Sequence, residues 1–494
     1  MREPARVHPI SPAPVQVQPK PPRSERQTHG VRAGRLALVF VVGAALWMLP
    51  RPATVDPRAW QLLAIFVATV VGIIAKPIPM GAMAIAGIAA ALATRTLTLA
   101  EALSGFANAT VWLVVAAFCF ATGFIKTGLG TRIAYHLITL FGRSPLGLGY
   151  SLVMSDFMLA SAVPSNAARA GGVMAPILRS ICKTAIEEDP VRGRQTSAFL
   201  TAMAYQGTVV TTAVLVTGSV ANLLALEFAA AQGVAITWSG WAQAAIVPGL
   251  VSYAVVPFIV RLLCPPGVFK TPEAPSAARA ALARMGPMKR GEWLMGLVSL
   301  GVLTAWVLGT RLGLDNTASA LIAIAALLVT GVLTWDDVIS EHETWNTLVW
   351  FATLVMMATF LGNLGLIKWF SAEVGAAFGG VGWLTGFIGL CVTYYYVHYF
   401  FASNTAHVSA MYAPFLAVAL ALGSPPIVAA LVFGYLNGLS AAVTHYGNAS
   451  APILFGGGHV PLATWWKVGG VVSVANLAIW LTVGSVWWRT LGLW

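Results

Sequence analysis

The stretch around which this chain is organised reads Phe401-Ala402-Ser403-Asn404-Thr405-Ala406-His407-Val408-Ser409-Ala410-Met411-Tyr412-Ala413-Pro414, a short polar segment inside hydrophobic sequence. The same frame occurs earlier, in Val163-Pro164-Ser165-Asn166-Ala167-Ala168-Arg169-Ala170-Gly171-Gly172-Val173-Met174-Ala175-Pro176. The shift is 238 positions for the two Ser-Asn steps (403 − 165 = 238) and for the closing prolines (414 − 176 = 238). A polar step that occurs once in each half of a hydrophobic chain predicts two related halves that face one site.

The composition places the chain in a membrane. Of its 494 residues 58% are hydrophobic and only 9% are charged, whereas soluble domains have about 25% charged residues. The long apolar runs lack the alternation of a β-barrel, so they indicate helices. The net charge of +12 comes from basic residues in the N-terminal region and in loops. That distribution follows the positive-inside rule and argues against a nucleic-acid partner. We therefore predict an all-α polytopic membrane protein.

Two polar segments predict the domain organisation. Residues 1–34 are rich in proline, arginine and glutamine and predict a disordered cytoplasmic tail. Residues 264–292 combine prolines with basic residues and predict a cytoplasmic linker between a first repeat, 35–263, and a second, 293–494. Each repeat contains one long apolar segment with a central polar break, which predicts a re-entrant hairpin, and one interrupted helix. The hairpins and interrupted helices are 148–181 and 197–227 in the first repeat, and 385–420 and 427–456 in the second.

The charges flanking the two hairpins differ. The first hairpin is flanked by Arg143, Arg179, Lys183, Arg192 and Arg194, while 371–385 and 421–426, which flank the second, contain no Lys or Arg. By the positive-inside rule the first hairpin opens to the cytoplasm and the second opens outward. The sequence thus predicts two inverted repeats with about eleven spans and a cytoplasmic N-terminus, an arrangement typical of secondary transporters.

The Ser-Asn steps lie where a helix restarts inside the membrane. Ser and Asn are strong N-cap residues, and a restarted helix points its positive dipole end at whatever occupies the space between the hairpins. Two such ends predict a site for an anion with more than one carboxylate. Plain caps on kinked helices are the alternative. The predicted substrate contacts are Ser165, Asn166, Ser403, Asn404 and Thr405 at the steps, and Gly218, Ser219, Asn222, Gly447, Asn448 and Ser450 in the interrupted helices.

Two ionisable residues follow the steps. Arg169 and His407 each occupy the fourth position after their Ser, again 238 apart (407 − 169 = 238). Charge inside a membrane is costly, so such residues are candidates for a functional role, here coupling. The alternatives are that Arg169 extends to the interface and that His407 is a hydrogen-bonded core histidine.

Several motifs together resemble those of a known family. They are Pro164-Ser165-Asn166-Ala167-Ala168-Arg169-Ala170-Gly171-Gly172, Phe401-Ala402-Ser403-Asn404-Thr405-Ala406-His407, Thr444-His445-Tyr446-Gly447, Gly286-Pro287-Met288 and Trp465-Trp466-Lys467. The sequence resembles the divalent anion:sodium symporter family, and within it the exchangers: bacterial citrate/succinate antiporters and plastid 2-oxoglutarate/malate translocators. The resemblance implies a homodimeric elevator-type transporter of di- or tricarboxylates. The family's first motif has Thr where this chain has Ala167, which removes one donor from the site.

The resemblance also bears on whether transport is coupled to sodium. Sodium symporters of this family hold sodium at the Ser-Asn turns, and a fixed positive charge at Arg169, or at protonated His407, opposes a cation there. We expect the empty carrier to hold this positive charge uncompensated at the site, which makes its movement through the low-dielectric region unfavourable. We therefore expect sodium-independent obligatory exchange without a cofactor or a metal, in a bacterial inner membrane. Sodium-coupled symport and a plastid inner envelope are the alternatives.

The sequence gives little support to an enzyme or a channel. His342-Glu343-Thr344-Trp345-Asn346 lacks the second histidine of a zinc-protease motif, and no GxSxG occurs, so we expect no enzyme. A channel does not need two interrupted hairpins. The acidic run Asp336, Asp337, Glu341 and Glu343 is expected to be a solvated cytoplasmic loop.

Overall fold

The computed structural model describes residues 32–377, 380 and 382–494. The regular structure of these residues is helical throughout, with no strand among them, so the all-α prediction is confirmed. The predicted tail, 1–34, lies outside the described residues except for 32–34.

The helices of the first half and the linker are α1 (Ala33–Met48), α2 (Pro57–Ala75), α3 (Met80–Ala93), α4 (Leu99–Leu103), α5 (Ala109–Thr127), α6 (Leu129–Phe141), α7 (Pro145–Ala160), α8 (Asn166–Arg169), α9 (Ala175–Glu188), α10 (Pro190–Val214), α11 (Val220–Ala230), α12 (Trp238–Leu263) and α13 (Glu273–Met285). Those of the second half are α14 (Arg290–Leu312), α15 (Asn316–Val329), α16 (Trp335–Ser340), α17 (His342–Asn363), α18 (Leu366–Ala377), α19 (Trp383–Val397), α20 (Asn404–His407), α21 (Ala413–Ala421), α22 (Pro426–Leu439), α23 (Ser450–Phe455) and α24 (Leu462–Thr490).

Six of the described helices are long and apolar enough to cross a membrane: α2, α5, α12, α14, α17 and α24. Other apolar helices, such as α3, α11, α15 and α22, are shorter. Of these, α11 and α22 lie beside breaks in interrupted helices. At a break the backbone carbonyls lack helical partners and need other hydrogen-bond donors, because lipid supplies none. The chain is a multi-pass membrane protein.

The two hairpins share their local geometry. In each, the second arm starts as one α-helical turn, widens into a π-helical turn and continues as an α-helix. The π-helical turns are Ala170–Met174 and Val408–Tyr412, and both ends keep the shift (408 − 170 = 238 and 412 − 174 = 238). The first arms, α7 and α19, begin at Pro145 and Trp383, again 238 apart (383 − 145 = 238).

A buried ion pair fixes the linker to the first half. The linker contains α13, which packs against α6. Arg132 of α6 donates from Nε to Oε1 of Glu292 at 2.6 Å and from Nη1 to the carbonyl of Gly286 at 3.0 Å. Both charged side chains are nearly inaccessible to solvent. The guanidinium of Arg132 therefore holds the segment around Gly286 and the start of α14 against α6.

A close backbone contact positions α17. A Cβ atom at Gly105, in the 3₁₀ turn Ser104–Ala107, would lie 2.0 Å from the carbonyl oxygen of Ala352. Only glycine permits this approach. In addition, the amide of Gly81 at the start of α3 donates to Oδ1 of Asn346 at 3.0 Å. These two contacts fix the first turns of α17, which form one wall of the cavity described next.

Candidate functional site

Both Ser-Asn steps border one cavity of about 560 Å³. Its walls come from the two hairpins, the starts of α11 and α23, and residues of α3, α5 and the start of α17. Of the residues predicted from the sequence, it brings together Ser165, Asn166, Ser219, Ser403, Asn404 and Thr405. Ala167 also lines it, at the position where the resembling family has a hydroxyl.

The first step is a capped helix start. Oγ of Ser165 accepts from the amide of Ala168 at 3.2 Å, which satisfies one of the free amides of the first turn. The Asn166 side chain is buried, and its Nδ2 donates to Oγ1 of Thr212 at 3.4 Å. The hydrogen-bonding groups of this step are therefore largely used within the protein.

The second step leaves more polar groups free. Ser403 is extended at the N-cap position, but its hydroxyl does not cap α20. Nδ2 of Asn404 donates to the carbonyl of Asn437 at 2.5 Å, whereas its Oδ1 is buried without a partner among the described residues. The hydroxyls of Ser403 and Thr405 line the cavity and are free to bind a ligand.

Four helix starts meet at the cavity. Asn166 and Asn404 open the second arms of the hairpins, Val220 opens α11 after the N-cap residue Ser219, and Ala449 precedes α23. Each start brings amide groups and the positive end of a helix dipole to the cavity wall. The arrangement favours an anion without placing a basic side chain there.

Gly218 and Asn222 do not line the cavity, because both are used where the helix formed by α10 and α11 breaks. Nδ2 of Asn222 donates to the carbonyls of Thr212 and Leu215 at 2.7 and 3.0 Å. The carbonyl of Gly218 accepts from Arg169 at 3.1 Å. These contacts satisfy backbone groups that the break leaves without helical partners.

The corresponding residues of the second interrupted helix are also set back from the cavity. Oδ1 of Asn448 accepts from the amides of Ser450 and Ala451 at 3.1 and 2.9 Å and so caps α23. Nε2 of His398 lies 2.9 Å from the carbonyl oxygen of Gly447. Gly447, Asn448 and Ser450 are buried, and in this geometry they support the cavity wall from behind.

Arg169 is fully buried beside the first step and does not reach the cavity. Its Nε donates to Oδ1 of Asp156 at 2.9 Å, and its Nη atoms donate to Oδ1 of Asn166 and the carbonyls of Val163 and Gly218 at 2.5 to 3.1 Å. The expectation of an uncompensated positive charge at Arg169 is wrong, because the Asp156 carboxylate neutralises it within the protein.

His407 is also buried and set back from the cavity. Its Nδ1 lies 3.1 Å from Oδ1 of Asn437, while its Nε2 has no partner among the described residues. The ring packs against Tyr394 and His398, with ring centroids 4.3 and 4.9 Å away. The histidine therefore sits in an aromatic enclosure behind the second step.

Two carboxylates that the sequence analysis placed in a solvated loop line the cavity. Asp336 and Asp337 lie on α16 outside it, but Glu341 and Glu343, at the start of α17, are part of its wall. Oγ1 of Thr122 on α5 donates to Oε2 of Glu341 at 3.4 Å. No basic residue of the described chain lines this cavity. Spacing along the chain carried no signal for this placement, which depends on how α17 packs against α3 and α5.

Within the described ranges no group of three or more His, Cys, Asp or Glu side chains could hold a metal ion. The four cysteines, Cys119, Cys182, Cys264 and Cys391, are buried and unpaired with one another. The absence of a cofactor and of a metal stays a prediction.

Comparison with known proteins gives consistent matches. The family model described as the sodium:sulfate symporter transmembrane region matches residues 31–494. The chain is 47% identical to the putative malate transporter YflS of Bacillus subtilis over 93% of this chain and 96% of that protein. It is 45% identical to the chloroplastic dicarboxylate transporter 1 of Arabidopsis thaliana over 98% and 86%, and 34% identical to the Escherichia coli inner membrane protein YbhI over 93% and 98%.

The fold has solved counterparts with little sequence similarity. The crystal structure of the Alcanivorax borkumensis YdaH transporter, described as having an unusual topology, superposes with a TM-score of 0.53 at 15% identity and covers 93% of this chain and 97% of that one. This likeness concerns the fold alone. The match over almost the whole chain, together with full-length relatives above 30% identity, shows that the protein belongs to the divalent anion:sodium symporter family.

Proposed function

We propose that the protein is a secondary transporter that exchanges small dicarboxylates across a bacterial inner membrane. The observation that carries the proposal is the meeting of both Ser-Asn steps and four helix starts at one cavity. The cavity is large enough for a small carboxylate, and its amides and hydroxyls suit carboxylate oxygens. The names of the relatives, a putative malate transporter and a chloroplastic dicarboxylate transporter, support the same substrate class.

The surroundings of the first step support transport without sodium at that turn. The Arg169 guanidinium donates to Oδ1 of Asn166 and to two backbone carbonyls. These are the kinds of oxygen that would otherwise coordinate a cation. A guanidinium hydrogen-bonded to them replaces an ion permanently, since arginine does not lose its proton.

The polar groups that a ligand must satisfy support exchange rather than one-way transport. Without a ligand, the hydroxyls of Ser403 and Thr405 have no partner among the described residues and the positive helix ends face water. Moving these hydrated dipoles through a low-dielectric region is unfavourable. A bound dicarboxylate satisfies these groups. In this proposal the loaded form crosses readily and the empty form does not.

The movement itself is proposed to be of the elevator type in a homodimer. The two hairpins and the interrupted helices would form one block that slides against α3, α5 and α17, and the halves would be inverted repeats. The shared π-helical turns and the constant shift of 238 positions between the hairpins (408 − 170 = 238) support related halves. The position of the cavity between hairpins and scaffold helices supports a sliding boundary.

Sodium-coupled symport is the second candidate, and the second step favours it. No guanidinium fills that turn, and Oδ1 of Asn404 has no described partner. Sodium held there would satisfy this oxygen.

Transport into liposomes distinguishes the two candidates. The purified protein is reconstituted with internal malate, internal succinate or no internal carboxylate, and uptake of external radiolabelled malate is measured in sodium or potassium buffer. We expect uptake only with internal dicarboxylate, and at equal rates in both salts. Uptake into empty liposomes driven by a sodium gradient would contradict exchange and support symport. Liposomes without protein are the control.

A further inference from the structure

The cavity proposed to bind an anion has an acidic wall. Glu341 and Glu343 are the charged residues that line it in the described part of the chain, and neither forms an ion pair with a described residue. The nearby Lys126 is bound to Asp337 on α16. Repulsion of an anionic ligand by this wall is thus not cancelled locally.

The local structure holds the two carboxylates at the cavity. Glu341 is the residue between α16 and α17, and its side chain does not cap α17. The hydroxyl of Thr122 on α5 donates a hydrogen bond to the Glu341 carboxylate and holds it beside that helix. The close contact of Gly105 with Ala352 positions the α17 backbone, and with it the backbone from which both side chains extend.

The part of the cavity wall formed by the hairpins attracts an anion. There the helix starts of the hairpins present backbone amides, and Ser403 and Thr405 bring side-chain hydroxyls. A ligand therefore experiences attraction from a fixed number of helix ends and repulsion from two carboxylates. The attraction depends on carboxylate geometry, while the repulsion grows with the total charge of the ligand.

We propose that Glu341 and Glu343 are specificity residues that limit the charge of the transported anion, favouring dicarboxylates over tricarboxylates. This inference rests on the proposed function. A third carboxylate adds one more negative charge that meets the acidic wall. At an effective dielectric constant near 20, one added unit charge about 10 Å from another lowers affinity roughly tenfold.

Two inhibitors that differ by one carboxylate test the proposal. Glutarate and tricarballylate have the same five-carbon backbone, and both are ionised at pH 8. Each is titrated against malate exchange in liposomes containing the wild type, E341Q, E343Q or the double variant. Because each glutamate repels the extra charge, we expect the affinity for tricarballylate relative to glutarate to rise about tenfold in each single variant and about a hundredfold in the double variant.

Asp336→Asn is the matched control, because it removes one negative charge from an exposed position of the same acidic run outside the cavity. It should leave the inhibitor ratio unchanged. Added potassium chloride should narrow the wild-type difference between the inhibitors, because salt screens exposed charges. The salt measurement on the wild type, together with E343Q at an exposed position, keeps the test valid if E341Q does not fold. An unchanged ratio in E343Q and no effect of salt would overturn the charge limit, whereas a wild type without malate exchange would overturn the proposed function instead.

Discussion

At the scale of single residues, the two halves have different side chains at two pairs of positions that the shift of 238 relates. Asp156 and Arg169 form a buried ion pair beside the first step. The matched positions of the second half are Tyr394 and His407 (394 − 156 = 238 and 407 − 169 = 238), whose rings are 4.3 Å apart. One half is thus supported by a charge pair and the other by an aromatic contact, although both second arms contain a π-helical turn at the matched position.

The second step is expected to contribute directly to binding. Asn404→Ala removes the side chain whose Nδ2 donates to the carbonyl of Asn437 and so holds the second step at the cavity. A displaced step loses hydrogen bonds to the charged ligand, each worth about 1.5–3 kcal/mol. The apparent KM for malate in exchange should rise roughly tenfold to a hundredfold. Ser409→Ala, on the same arm but with its hydroxyl bonded to the carbonyl of Thr405, is the control. Unchanged affinity in a folded Asn404→Ala protein would remove this residue from the site.

The ion pair predicts a non-additive effect on stability. Arg169→Met leaves the Asp156 carboxylate buried and unpaired, which costs about 3–5 kcal/mol. Asp156→Leu leaves the guanidinium in the same condition. The double variant replaces the pair by apolar side chains and should be more stable than either single variant. Thermal unfolding of the four proteins in detergent measures this, and additive losses would show that the two residues do not act as a pair.

At the scale of elements, the short helix α16 connects the first half to the cavity wall. Asp337 accepts hydrogen bonds from the amide and hydroxyl of Thr334, which caps the helix, and from Lys126 at the end of α5. Burial raises the pKa of the Asp337 carboxyl, but these hydrogen bonds outweigh burial and lower the pKa to about 2. The helix therefore depends on an ionised aspartate.

This dependence predicts a pH effect with a definite sign. A pKa lowered on folding, from about 3.9 in an unfolded chain, stabilises the protein fully above that value and is lost as pH falls toward 2. Asp337→Asn should lower stability at pH 7 by about 1 kcal/mol or less, because the pair is partly exposed, and should reduce the loss of stability between pH 5 and pH 3. Unfolding midpoints at these pH values, with Asp336→Asn as control, test it; equal acid sensitivity of the two variants would contradict it.

At the scale of the whole molecule, the sequence predicts more of the fold than of the site. Apolar runs and the repeated Ser-Asn frame are local in the chain, so the helical class and the residues of both steps could be read directly. Glu341 and Glu343 could not, because their position depends on packing between α17 and helices more than two hundred residues away. The partner of Arg169 was missed for a related reason: Asp156 lies on the facing arm of the hairpin, and its position in that arm gives no sign of pairing.

Inverted repeats remain a prediction that labelling can test. In a background without the four native cysteines, Arg192→Cys and Thr385→Cys place single thiols at exposed positions near the first and second hairpins. A reagent that does not cross membranes should label Thr385→Cys in intact cells and Arg192→Cys only after lysis. Labelling of Arg192→Cys from outside would show that the predicted topology is wrong.

The π-helical turns have a consequence for evolution and engineering. An α-helix advances about 100° per residue, so one extra residue in a turn rotates everything on one side of it relative to the other. In both hairpins the extra residue separates the cavity-lining step from the arm that packs behind it. Deleting one residue from Ala170–Met174 would turn the first Ser-Asn step away from the cavity without changing any side chain in it. Both halves therefore share the rotation of the helix about its own axis at this turn, in addition to the residues of the step.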